Sequence, residues 1–118
     1  MSDRELLELA AKAARRNISW SGNVAVLQDF EPGIDDCSAW HPPTDDGDAL
    51  RLAVRLGLHF VEISLCAVAS VKVPICIEVW RTGYEDPIYT HYAQKGDKYE
   101  AVRYAILRAA AEIGKAMP

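Results

Sequence analysis

The residues best suited to chemistry are three histidines, His41, His59 and His91, and three cysteines, Cys37, Cys66 and Cys76. A metal site built from such groups shows short spacings such as Cys-x-x-Cys, because neighbouring ligands must converge on one ion. No such spacing occurs here. Cys37 and His41 lie four positions apart in a loop-like stretch with Pro32, Gly33, Pro42 and Pro43. Such a stretch offers no rigid element to hold a thiol and a base at hydrogen-bond distance. A nucleophile elbow, a Walker loop and a dinucleotide fingerprint are all missing from the sequence. The residues therefore predict a protein that is not an enzyme, with no cofactor and no metal. An odd cysteine count without regular spacing is no disulfide framework. Cys66 and Cys76 sit in apolar, strand-like runs and are expected to be small core hydrophobes.

The acidic residues say more. Between Arg16 and Arg51 there is no Lys or Arg, while Asp29, Glu31, Asp35, Asp36, Asp45, Asp46 and Asp48 all fall there. The net charge of -4 is thus a segment at -7 joined to a remainder at +3. One reading is local: carboxylates at a helix start complement the positive end of its dipole. The other is a docking surface for a partner with a basic surface, formed by Asp35, Asp36, Trp40, Asp45, Asp46 and Asp48, with electrostatically steered association. Asp46-Gly47-Asp48 lacks the ligand spacing of a calcium loop. An alternative site is the Trp40-His41 acidic loop, with His91, acting as a small-molecule, nucleotide or metal-binding module.

These residues need elements to position them. Ser2-Asp3-Arg4-Glu5 reads as a capping box, and Leu6, Leu9, Ala10, Ala13 and Ala14 follow at helical spacing to about Arg16. Trp20, Val24 and Val26 suggest a strand with Gly22-Asn23 as a turn or bulge inside it. Thr44 or Asp45 can cap a second helix, with Leu50, Ala53, Val54 and Gly57 as one stripe, Leu52 and Leu56 beside it, and Gly57 as its stop. Residues 59–81 alternate with period two. Val61, Ile63, Leu65, Ala67 and Ala69 are expected on one face and Phe60, Glu62, Ser64 and Cys66 on the other. A turn near Ser70-Val71-Lys72 leads to a second strand with Val73, Ile75, Ile77 and Val79 inward. Trp80 falls on the polar face of that strand, either in a second core layer or at an interface. Residues 88–93 form a third strand. Asp97-Lys98-Tyr99-Glu100 opens the last helix, which Gly114 and Pro118 should end.

The predicted fold class is α+β, a layered sandwich. A mostly antiparallel sheet of three or four strands packs with three helices in the order α-β-α-β-β-β-α, within one domain spanning 1–118. Hydrophobic residues at 50% and charged residues at 25% fit a globular chain and exclude disorder. The longest apolar stretch, 60–80, is broken by Glu62, Lys72, Pro74 and Glu78, so no membrane span is expected. The acids in the first ten residues argue against a secretory signal, and a cytosol is the expected location. Nucleic acid is disfavoured by the negative charge and the absence of a basic run with aromatics; Arg103 and Arg108 are its best candidate contacts. Sheet edges leave room for a homodimer.

Two blocks carry a family resemblance. Trp40-His-Pro-Pro-Thr-Asp-Asp-Gly-Asp-Ala-Leu-Arg-Leu-Ala-Val-Arg-Leu-Gly-Leu58 and Tyr99-Glu-Ala-Val-Arg-Tyr-Ala-Ile-Leu-Arg-Ala-Ala-Ala-Glu-Ile-Gly114 resemble segments of small tailed-phage and prophage accessory proteins. Those are the NinX-like family and the phage ABA-sandwich domain; Leu6-Leu-Glu-Leu-Ala-Ala-Lys-Ala-Ala14 fits them too. His41 stands where that family usually has Asn. The resemblance implies a phage accessory protein and brings no catalytic residues. The expected activity is binding to a host or phage protein, with inhibition of a host defence protein as one outcome.

Overall fold

The computed structural model describes residues 2–28, 39–63, 75–93 and 97–118. The order is α1 (Asp3–Ala14), β1 (Ile18–Ser21), β2 (Val24–Leu27), α2 (Asp46–Leu56), β3 (Leu58–Ile63), β4 (Ile75–Arg81), β5 (Tyr89–Ala93) and α3 (Lys98–Ala116). The class is α+β, as the patterning predicts. The run expected as one strand is instead a hairpin with its own two-stranded sheet, β1 paired to β2 from Ile18↔Leu27 to Ser21↔Val24. Gly22 has a φ of +62° and Asn23 is not left-handed. Left-handed backbone at only the first central residue suits a tight two-residue hairpin, and glycine adopts it without a Cβ clash.

Local signals set the helix ends. The Glu5 N–H donates to Ser2 Oγ at 3.2 Å, the Asp48 N–H to Asp45 Oδ1 at 2.9 Å and the Glu100 N–H to Asp97 Oδ1 at 2.8 Å. Of the two candidate caps for α2, Asp45 takes the role. Gly57, at φ +68°, closes α2 in the left-handed conformation. Gly114 does not end α3, which continues to Ala116. It is buried where α3 crosses α1, and a Cβ placed there would lie 2.0 Å from the Leu9 carbonyl oxygen.

β3, β4 and β5 form an antiparallel sheet with β4 in the centre. The register pairs Phe60 with Val79, Glu62 with Ile77 and Val61 with Glu78. Directly paired residues share a face. Phe60 and Glu62 therefore lie on the α3 side with buried Ile77 and Val79, and Val61 and Ile63 lie on the other; the alternation predicts this division, and the pairing with β4 decides which side is inward. Trp80 is half-buried on that second face, stacked on His59 at a ring separation of 6.4 Å. The expected strand continuation over 64–70 and the turn at 70–72 lie outside the described residues.

α3 is a wall between two cores. Ala101, Ala105 and Ala109 face Ile77 and Val79 of the sheet. Ile106, Leu107, Ala110 and Ala111 face α1, α2 and the hairpin. Alanines on both sides let neighbours approach closely without leaving voids. Among the described residues no helix is long and apolar enough to cross a membrane.

Candidate functional site: an acidic helix start beside an apolar groove

The segment ahead of α2 is tied down residue by residue. The Trp40 N–H donates to the Ala25 carbonyl at 2.8 Å, pinning the segment to the hairpin. The Trp40 ring is only 5% exposed and belongs to the core with Leu27 and Leu52. The His41 N–H donates to Asp48 Oδ2 at 3.0 Å, and the His41 carbonyl accepts from the Thr44 and Asp45 N–H groups. His41 Nδ1 lies 2.6 Å from Thr44 Oγ1. Pro42 and Pro43 are buried.

The acids divide by role. Asp48 is buried and takes the His41 amide on one oxygen and the Arg51 guanidinium, at 2.9 Å, on the other. Asp45 is the exposed cap. Asp46 is exposed and receives Arg103 Nη1 at 2.6 Å, while Arg103 Nε donates to the Pro43 carbonyl at 2.9 Å. Arg103 thus ties α3 to the start of α2.

Of the residues expected on a docking surface, the structure brings Asp45 and Asp46 to solvent. Trp40 and Asp48 are corrections: their side chains are interior supports of the same turn, because one fills the core and the other satisfies a backbone N–H. Asp35 and Asp36 lie outside the described residues, as do Cys37 and Cys66. Cys76 is buried, as expected, and burial, with a smaller contribution from Glu78, pushes its thiol pKa up.

The residues that the periodicity missed stand next to this turn. The buried face of α2 is Ala49, Leu52, Ala53 and Leu56, whereas Leu50 and Val54, expected in one stripe with Ala53, point away from it. Leu50 lines a groove of about 580 Å³ between α2 and the first turns of α3, with Ala49, Val102 and Ile106. Phe60 of β3 and Tyr99 of α3 complete its apolar wall. Leu50 is 61%, Phe60 48% and Tyr99 73% exposed. The clue in the sequence is the i, i+4 pair Leu50 and Val54, lying outside the Ala49-Leu52-Ala53-Leu56 stripe.

The remaining chemistry candidates sit elsewhere. His91 faces α3 beside Tyr104, with ring centroids 5.4 Å apart, and stacks on Tyr89. Burial, with Arg108 adding to it, lowers the His91 pKa. The Arg108 guanidinium lies over the Tyr89 ring at 5.3 Å. Among the described residues no group of three or more His, Cys, Asp or Glu is arranged to hold a metal ion. No protein-family model, curated protein or solved structure matches the chain.

Proposed function

We propose that the chain is a tailed-phage or prophage accessory protein, without enzymatic activity, that acts in the bacterial cytoplasm by binding a host or phage protein. Its docking surface is the α2–α3 groove with the acidic start of α2. The groove carries this reading. Leu50, Phe60 and Tyr99 keep large apolar surfaces in water around one concavity. Isolated exposed apolar residues are ordinary, whereas a contiguous patch with a polar rim is the usual mark of an interaction surface. The phage origin is supported by the resemblance of the blocks at 40–58 and 99–114. A partner with a basic surface suits the exposed Asp45 and Asp46 and the base-free segment around them. Occluding a host defence protein is one activity such a surface can perform.

The alternative of a small-molecule, nucleotide or metal-binding module at the Trp40-His41 loop has weaker support. The Trp40 ring is inside the core, and His41 Nδ1 is already at hydrogen-bond distance from Thr44.

Capture from bacterial lysate on the immobilised protein tests the docking reading. The wild type should retain a basic protein, less of it as salt rises, since surface charge steering is screened. The double variant Leu50→Ser, Tyr99→Ser should lose that protein while keeping its circular dichroism spectrum. An unchanged captured set from the double variant would sink the reading.

A further inference from the structure

We infer that the occupant of the groove is a basic amphipathic α-helix of the partner protein. The inference rests on the docking role proposed above and names the chemistry of what docks. Two helices form the long walls: α2 contributes Ala49 and Leu50, and α3 contributes Tyr99, Val102 and Ile106. Side chains on such walls stand in i, i+3 and i, i+4 rows, and the shape that interdigitates with those rows is a third helix. Ala49 and Ile106 are buried in the lining while Leu50 and Tyr99 stand exposed on the two helices, so a partner helix would seat its side chains between Leu50 and Tyr99.

Charge selects the kind of helix. Among the described residues the cations lining the groove are both already paired, Lys98 with Glu62 at 3.1 Å and Arg103 with Asp46 at 2.6 Å. Asp97 lines the groove and is exposed, Asp45 and Glu100 are exposed one position from the lining residues Asp46 and Tyr99, and among the described residues no cation pairs with these three acids. The rim therefore carries negative charge that a row of Lys or Arg beside the apolar stripe would complement. The same charge opposes a second copy of this chain. A two-fold contact through the groove would bring two surfaces of the same negative sign together.

Selection from a displayed library of random peptides of about 16 residues, between four and five helical turns, tests this. The bait is the full chain, and the double variant Leu50→Ser, Tyr99→Ser serves for counter-selection. Enriched peptides should show apolar residues at i, i+3 or i+4 and i+7, with Lys or Arg alongside. Synthesised, they should bind the double variant about tenfold more weakly, equivalent to about 1.4 kcal/mol. Enrichment of acidic, proline-rich or strictly alternating peptides at the groove would overturn the helix and leave the docking surface intact. A dimer in sedimentation that the double variant dissolves would also overturn it, with a second copy as the occupant. Absence of any groove-dependent peptide overturns the inference, while the lysate capture separately decides the docking role.

Discussion

At Gly114 a single hydrogen atom decides how closely two helices meet. With a Cβ only 2.0 Å from the Leu9 carbonyl oxygen, neither backbone can yield without moving a whole helix. Gly114→Ala gains about 1 kcal/mol in helix propensity. It should nevertheless destabilise the protein by about 2 kcal/mol or more, because the clash between the two helices outweighs that gain. Urea unfolding measures the difference. His91 offers a second residue-scale test. Its pKa is lowered in the folded chain by burial and then by Arg108, so folding favours the neutral ring. The unfolded state takes up the proton first, from about pH 6.5 downward. Stability is therefore level above that pH and declines as pH falls through the folded pKa. His91→Gln should flatten the urea midpoint between pH 7.5 and the acid side relative to the wild type; an equally steep decline would place the effect in other groups.

At the scale of elements, α2 depends on its first turn. Asp45→Ala removes the acceptor for the Asp48 N–H and should cost about 1 kcal/mol. Asp48→Ala strands the His41 N–H and the partly exposed Arg51, and should cost about 1–3 kcal/mol, the range for orphaning a buried donor. Thermal melts of the two variants side by side rank the effects; a larger loss from Asp45→Ala would contradict the buried role of Asp48. These caps were legible in the sequence because Ser2, Asp45 and Asp97 act on N–H groups within three residues. The face of β3 was not legible. Period two shows that side chains alternate, but only pairing with β4 decides that Phe60 joins Val79 and turns Val61 away. The hairpin at Gly22-Asn23 escaped for a related reason, since a turn and a bulge share the same residues. The groove was half-visible: the apolar residues of α2 span more than one face, and only packing against α3 selects Ala49, Leu52, Ala53 and Leu56 for the core.

For the whole molecule, the uneven charge has a structural side and a free side. Asp48 and Arg51, and Asp46 and Arg103, close on one another, while Asp45, Asp97 and Glu100 remain to face solvent. Leu50→Ser and Tyr99→Ser, taken singly, should each change stability by no more than about 0.5 kcal/mol, because exposed side chains away from caps and cores contribute little. A larger loss in chemical unfolding would mean that the groove is part of the fold. α3 has a further consequence through its position in the chain. α1 buries its apolar stripe against α3, and Lys12 Nζ donates to the Met117 carbonyl across 105 positions. During synthesis the early helix, the hairpin and the sheet strands emerge with no wall to close on. Neither core can be completed until α3 has left the ribosome, so the segments made before it carry open apolar faces until that helix arrives.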